Sequence, residues 1–584
     1  MKNFFKNVLA NIVAILIVAA IFFVFMIVIV AVGSFSGNEK AHVKDQSVLC
    51  LDLKTQIIDS PSEIKDNIFT INDKTKEILI LDALEAIKNA KTDDKIKGIS
   101  IETDGINAKI TQLDNIRTAL LDFKKSGKFV YAYGNTVSQP AYFLGSVADK
   151  YYLNPAGKID LKGLSTEVIF FKNFAEKYGV GTEVIRHGKF KAAVEPYLRN
   201  EISPENQEQL STLLNDVWSN ISTKMSTSRK IAAADFKTTV DSLYGMIPEL
   251  AIKYKLADQL VQKSQYDNAL KSLLKLKSDD KLNKISFDKY IKSLDDQNSN
   301  SNEVAMLYAS GQILDGEGYN DIHARNLIKN IKDITENDDI KAVVLRINSP
   351  GGSANASDEI LYELQQLKAK KPLVVSFGDY AASGGYYIAM AADKIYSEPN
   401  TITGSIGVFG MITYFKDLAN KNGIRSDAVK TNTNANMYSP INGVSPGAVT
   451  MLTKSVEGTY KRFVYFVTQN RKKTFQQIDD IGGGRVWSGT RAKEIGLVDE
   501  IGSITDAINF AAQKAGIKEY SLTTYPEKVS MFEQFFGNGE DEDIAAKILQ
   551  NKLGKENYQV FKTITNPNMK SGTMMQMPYE LKFD

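Results

Sequence analysis

Two polar residues stand in settings that suit a single catalytic pair. Ser383 lies in Ala381-Ala382-Ser383-Gly384-Gly385, after a strand-like run that ends in Ser376-Phe377-Gly378-Asp379. Its small neighbours admit a peptide backbone, and the unpaired N–H groups of a helix start can hold a developing oxyanion. A serine nucleophile needs a base. His187 is the only histidine near either motif, and Ser383 is not in a Gly-x-Ser-x-Gly elbow. Lys191, in Gly188-Lys189-Phe190-Lys191-Ala192-Ala193-Val194-Glu195-Pro196, is the better candidate. A lysine acts as a base only when neutral, so its pKa must fall from about 10.4 through burial or nearby positive charge. Lys189 and Arg186 are placed to supply such charge. The ordinary alternatives are a serine N-cap and a solvated surface lysine.

A repeat ties the two residues together. Ala148-Asp149-Lys150-Tyr151-Tyr152 matches Ala392-Asp393-Lys394-Ile395-Tyr396, an offset of 244 residues (392 − 148). The same offset pairs Asp94-Lys95-Ile96-Lys97 with Asp338-Asp339-Ile340-Lys341, and Gly179 with Gly423. It also places Ser383 on Gln139 and Lys191 on Ala435. Each copy holds one candidate and lacks the other, so a site that needs both lies where the copies meet. Asn348-Ser349-Pro350-Gly351-Gly352-Ser353 follows a strand-like run, and consecutive glycines let backbone N–H groups point into a site. The first copy has Thr103-Asp104-Gly105-Ile106-Asn107-Ala108 instead.

The elements that must position these residues alternate. Helical spacing of Ile80, Leu84 and Ile87 precedes a strand at 96–101, and Ile328, Ile331 and Ile334 precede one at 340–347. Further strands are expected at 48–53, 304–308 and 373–377, with a helix at 386–392. Such alternation predicts α/β units around largely parallel sheets. The divisions read as a cytoplasmic N-terminus and anchor (1–33), a first repeat (34–294), a polar linker (295–303), a second repeat (304–524) and a C-terminal extension (525–584). The Met-rich end of that extension is expected to be mobile or packed on a neighbour.

Residues 8–32 are apolar apart from Asn11, long enough to span ~30 Å of hydrocarbon at about 1.5 Å per residue. Lys2 and Lys6 flank the start of this run, while Lys40 and Lys44 beyond it stand beside Glu39 and Asp45, which favours an exported body. With 71 basic and 69 acidic residues and a net charge of +2, the chain lacks the basic footprint of a nucleic-acid binder. The single cysteine, Cys50, excludes an intrachain disulfide and reads as a buried strand residue. Three histidines (His42, His187, His323) make a histidine-built metal site improbable, and no cofactor is expected.

Four ordered motifs carry a family resemblance. They are Lys191-Ala192-Ala193-Val194-Glu195-Pro196; Asn348-Ser349-Pro350-Gly351-Gly352; Gly378-Asp379-Tyr380-Ala381-Ala382-Ser383-Gly384-Gly385-Tyr386; and Thr403-Gly404-Ser405-Ile406-Gly407-Val408. Arg485-Val486-Trp487-Ser488-Gly489, with Ala492 and Gly496-Leu497-Val498-Asp499, adds to them. From the anchor to about residue 520 the chain resembles the long, tandem-repeat signal peptide peptidase A (protease IV) family of bacterial membrane-bound serine proteases. The resemblance implies two crotonase/Clp-like α/β repeats and a Ser–Lys dyad, with Ser383 as nucleophile, Lys191 as general base and Ser405 orienting the lysine. It also implies a homotetrameric dome tethered to the inner membrane with its body on the extracytoplasmic side. Backbone N–H groups of Gly352 and Gly384 are the expected oxyanion donors, and extended apolar peptides such as signal-peptide remnants the expected substrates. The rival readings are a crotonase-like acyl-CoA enzyme, which needs carboxylate acid–base groups, and an inactive membrane scaffold.

Overall fold

The computed structural model describes residues 42–52, 55–61, 77–105, 107–294, 300–526 and 574–576, together with Ile17. The expected anchor at 8–32 (apart from Ile17) and most of the expected linker lie outside the described residues. Among the described residues no helix is long and apolar enough to cross a membrane.

In the first repeat, β1 (Ser47–Asp52), α1 (Ile80–Thr92), β2 (Ile96–Glu102), β3 (Phe129–Val137), α2 (Gln139–Gly145) and β4 (Lys150–Ile159) follow in order. After α3 (Lys172–Tyr178), β5 (Gly181–His187) departs for the other repeat, and α4 (Pro204–Arg229), β6 (Gln259–Leu260) and β7 (Lys284–Ser286) return to the first. The resulting sheet is entirely parallel, in the order β6-β4-β3-β2-β1-β7. Parallel sheets are covered on both faces, so their strands read as continuous apolar runs. Ile96, Ile99 and Ile101 of β2 are fully buried. Cys50 sits on β1, half-buried rather than buried, and burial pushes its thiol up to about 12.

The second repeat opens with β8 (Glu303–Ser310), β9 (Ile313–Leu314), β10 (Ile322–His323) and α5 (Ala324–Glu336). Then come β11 (Ile340–Ser349), β12 (Gly351–Ser353), α6 (Ala354–Lys370), β13 (Leu373–Ala382), α7 (Gly384–Ile388), β14 (Lys394–Ser397) and β15 (Ile402–Gly404). β16 (Val408–Tyr414), α8 (Lys416–Lys421), α9 (Pro446–Arg471), β17 (Val486–Ser488), β18 (Glu500–Ile501) and β19 (Ser521–Tyr525) complete it. Its main sheet runs β17-β15-β13-β11-β8-β19, with β14 beside β13 and β18 beside β14. All pairs are parallel except β15 with β17. The expected helix at 386–392 starts earlier, at Gly384, and gives way to a 3-10 turn over Ala389–Ala391.

The matched Ala-Asp-Lys motifs have structural work in both repeats. Asp149 accepts from Val130 N at 2.8 Å and Asp393 from Leu373 N at 3.0 Å. Asp258 accepts from Tyr151 N and Asp499 from Ile395 N, both at 2.7 Å. The long helices also correspond. Ser203 caps α4 and Ser445 caps α9, each with proline in the first turn, and each helix ends on a left-handed lysine (Lys230, Lys472). These caps stand 242 apart (445 − 203), not 244. Two residues are therefore missing from the second copy between Gly423 and Ser445, and the counterpart of Lys191 shifts between Thr433 and Ala435. Neither is a lysine.

The repeats meet along several seams, two of which frame the site. In the first, β5 pairs antiparallel with β16, from Gly181↔Tyr414 to His187↔Val408. The second is a buried polar seam. Arg346 on β11 holds Asp59, with Nη2 at 2.7 Å from Oδ1, and Thr111 Oγ1 donates to Asp379 Oδ1 at 2.6 Å. Asn115 Nδ2 donates to Glu398 Oε1 at 2.8 Å. Burial, reinforced by nearby carboxylates, raises Asp379 to about 6 and Glu398 to about 8.

The third sheet, β10-β9-β12-β20-β16-β5, combines both repeats with β20 (Met574–Gln576) from the C-terminal extension. Contrary to the expectation of a mobile or neighbour-bound end, residues 574–576 pair within their own chain.

Candidate active site

β5 delivers the chain across the seam to a turn in which Lys191 precedes a short 3-10 segment, Ala192–Val194. A polar network fixes this loop. Glu195, buried, accepts from Ser203 Oγ at 2.5 Å and from Asn206 Nδ2 at 3.1 Å. Arg186 Nη1 donates to the Lys191 carbonyl at 3.2 Å, and Gln209 Nε2 donates to the Phe190 carbonyl at 3.1 Å. Gln209 Oε1 in turn accepts from Val486 N at 3.3 Å, which ties the loop to β17 of the second repeat.

On the other side, β13 ends at Ala382 and α7 begins at Gly384. Ser383 lies between them with φ 55° and ψ −116°, and its side chain makes no cap hydrogen bond. The N-cap alternative therefore does not describe it. Its N–H donates to Gly404 O at 2.9 Å and its carbonyl accepts from Tyr387 N at 2.8 Å, so the backbone is held from both directions. Ser405, φ 51°, follows β15 and donates its N–H to Arg485 O at 2.7 Å.

These three residues converge. Lys191 Nζ is 2.9 Å from Ser383 Oγ, 3.0 Å from Ser405 Oγ and 3.3 Å from Ser405 O. Lys191, Ser383 and Ser405 are each fully buried. Desolvation lowers Lys191 well below the usual lysine value, because burial disfavours the charged amine. The expected help from neighbouring cations does not arise: Arg186 is turned to the Lys191 carbonyl (3.2 Å) and to Glu195 (3.9 Å), and Lys189 Nζ lies 5.2 Å from the centre of the Phe190 ring. Burial alone does it. His187 stacks on Tyr460 with centroids 3.8 Å apart.

Gly352 and Gly384 also come together. A Cβ on Gly384 would lie 3.2 Å from Gly352 N, and one on Gly352 would overlap Ile313 O at 2.0 Å. The sequence reading missed what lets the lysine in, the run Gly482-Gly483-Gly484. Gly484 has φ +88°, and a Cβ there would stand 2.6 Å from Lys191 N and Cβ. A glycine triplet beside the already noted Arg485-Val486-Trp487 was the available signal. The groups of three or more Asp, Glu, His or Cys residues that would suit a metal ion are absent among the described residues.

A nucleophile, a buried amine and paired glycine backbone on a parallel α/β scaffold are the parts of a serine hydrolase, and the similarities to known proteins make that class a serine peptidase. The sequence model of Peptidase family S49 matches residues 122–277 and 365–518, one stretch in each repeat, and the Clp protease model matches 295–403. Protease 4 of Salmonella typhi is 34% identical over 536 residues, covering 88% of this chain and 86% of the relative. Protease 4 of Haemophilus influenzae is 35% identical over 520 residues, 85% of this chain and 84% of the relative. The chloroplastic serine protease SPPA of Arabidopsis thaliana is 31% identical over 490 residues, 82% and 70% of the two chains. The chain belongs to peptidase family S49, in its long form with two tandem repeats.

Proposed function

We propose that this chain is a membrane-tethered serine endopeptidase working through a Ser383–Lys191 dyad. Neutral Lys191 removes the Ser383 proton as Oγ bonds to the peptide carbonyl carbon, and the resulting oxyanion is held by the N–H groups of Gly352 and Gly384. The lysine then passes that proton to the departing amine, and water, deprotonated by the same lysine, releases the acyl group. Ser405 accepts a hydrogen bond from Nζ and aims it. One observation carries the reading: a fully buried amine, whose hydrogen-bond partners are the oxygens of Ser383 and Ser405, lies 2.9 Å from the Ser383 oxygen.

The substrates in this reading are extended apolar peptides, including cleaved signal peptides, at the extracytoplasmic face of a bacterial inner membrane. The apolar run at 8–32 supports the tether. Association of copies is supported by the repeat itself, and four is the number that the family resemblance implies. The β5·β16 pairing joins first repeat to second, while the matching segments, 425–431 and 164–170, form no strand. Residues 425–431 are wholly exposed and 164–170 alternate half-buried and exposed, as a strand awaiting a partner would. A neighbouring copy supplies that partner and closes a ring.

The test is activity-based labelling. A fluorophosphonate should modify Ser383 in the wild type and fail to do so in Lys191→Ala, and sequenced products of an apolar peptide should show internal cleavage. Equal labelling of both proteins would remove the lysine from the mechanism.

A further inference from the structure

We infer that Gln209, on α4 of the first repeat, is a positioning residue for the proposed dyad: its buried amide sets where Lys191 stands relative to the two serines of the second repeat. The inference rests on the dyad reading above and names the group that holds it in register. The lysine and its partners stand on different repeats, and the segment 483–486 lies between them. On one side, Gly484 N donates to Ile406 O at 2.8 Å and Ser405 N donates to Arg485 O at 2.7 Å, so the segment is bonded to the turn that carries Ser405. On the other, Phe190 N donates to Gly483 O at 3.0 Å, one residue before Lys191. Gln209 closes this arrangement. Its Nε2 donates to Phe190 O at 3.1 Å, and its Oε1 accepts from Val486 N at 3.3 Å. The place requires a donor at one end and an acceptor at the other, which a side-chain amide supplies and a carboxylate or an ammonium does not. Asn206 Oδ1 accepts from the same Nε2 at 3.0 Å, and Asn206 Nδ2 donates to Glu195 at 3.1 Å, so the amide is itself oriented from behind.

The other copy lacks this amide. At the helix-cap offset of 242, Gln209 falls on Met451, Asn206 on Ala448 and Asp216 on Gly458. Met451 is 60% exposed, whereas Gln209 is fully buried. On α4 the same face grips the neighbouring strand along its length. Glu208 Oε1 lies 2.9 Å from Arg485 Nη2, and Asp216 Oδ2 accepts from Ser488 Oγ at 2.9 Å. The amide is thus present in the copy that holds the lysine and absent from the copy that does not. The charged groups around the loop face one another, Arg186 with Glu195 and Arg485 with Glu208. Gln209 itself is neutral, so it governs the amine through distance and exclusion of water, one residue from Lys191 at Phe190 and one residue from Arg485 at Val486.

The experiment uses the full-length protein and two variants that install the second copy's residues, Gln209→Met and, separately, Asn206→Ala. With a fluorogenic apolar peptide, Gln209→Met should lower kcat by about 10²-fold, the scale of a 1 Å misplacement, and leave KM unchanged. The limb of kcat/KM that rises with pH should move up by about one pH unit, because a loosened loop lets water reach the amine and favours its charged form. Asn206→Ala leaves Gln209 in place without its support, so both effects should keep their direction and be smaller, about tenfold in kcat. This milder variant carries the test if Gln209→Met does not fold. A merely structural role would lower the folded fraction and scale kcat alike at every pH, with the limb unmoved. That pattern, or wild-type kcat in a folded Gln209→Met protein, would overturn the inference. A wild type that neither cleaves the peptide nor takes the fluorophosphonate removes the dyad reading as well, whereas an active wild type with an unmoved limb in both variants removes the role of Gln209 alone.

Discussion

Ser383 and Gln139 occupy the same place in two copies of one scaffold, and the frame around them is shared. Asp104 accepts from Thr136 N at 3.1 Å, and at the matching place Asn348 accepts from Tyr380 N at 3.1 Å. Tyr142 donates to Leu256 O and Tyr386 to Leu497 O. At the centre the copies part. In the second, the serine faces an amine delivered from the first. In the first, Gln139 closes on its own loop: Oε1 accepts from Lys162 N at 3.1 Å and Gly163 N at 2.8 Å, and Nε2 donates to Gly163 O at 3.0 Å. In the proposed mechanism the second copy leaves its polar group for chemistry, whereas the first uses its own as a structural latch.

Experiments can press on that contrast. The largest effect should come from removing either member of the pair: Ser383→Ala and Lys191→Met should each lower kcat/KM by about 10⁶-fold, the scale for losing a serine nucleophile or its base. Gln139→Ala should leave peptide cleavage intact, and a comparable loss there would erase the distinction between the copies. Gly484→Ala should rank next, at about 10²-fold in kcat, because its Cβ displaces the Lys191 backbone and small misplacements cost that much. An Ala variant with wild-type kcat would mean that the lysine does not depend on this approach.

Stability should then move in opposite directions in the two copies. Lys191→Met removes a buried amine and should raise Tm by roughly 2–4 °C at neutral pH, about what 1 kcal/mol does in a domain of this size. The pH dependence has a definite sign. The folded lysine loses its proton at lower pH than the unfolded one, so the unfolded chain binds more protons in between, and wild-type stability rises with pH up to about 10.4. The gain from Met should therefore shrink as pH rises, which calorimetry across pH 7–10 would reveal. Gln139→Ala should cost about 1–3 kcal/mol by stranding the loop at 162–163, read by denaturant unfolding. A further pH-dependent change is expected at the polar seam. Glu398 is raised to about 8, so its folded form holds a proton the unfolded one has lost, and its contribution declines as pH rises from about 4.3 through 8. Glu398→Gln should flatten that decline without altering cleavage.

Local residue types were enough to expose the repeat, the α/β alternation and the pair Ser383 and Lys191, whereas Ser405 entered only through the family resemblance. Isoleucine and valine runs mark strands buried on both faces, and a serine among glycines is unusual wherever it falls. The seams were not legible, because they join ordinary residues far apart in sequence. Arg346 finds Asp59 across 287 positions and Asn115 finds Glu398 across 283. The idea that Lys189 and Arg186 depress Lys191 failed for a related reason: proximity in sequence does not give direction, and Arg186 reaches the Lys191 carbonyl and Glu195 rather than the amine. The two-residue slippage that moves the counterpart of Lys191 became visible only through the matched helix caps.

Ser383 and Ser405 both hold positive φ (55° and 51°), a conformation costly for any side-chain-bearing residue, whereas Gln139 opens a regular helix. Together with a buried lysine held below its usual pKa, that strain is a local cost to the fold. A chain holding such a constellation in both repeats would bear that cost twice. The regular helix at Gln139 spares the first repeat from it.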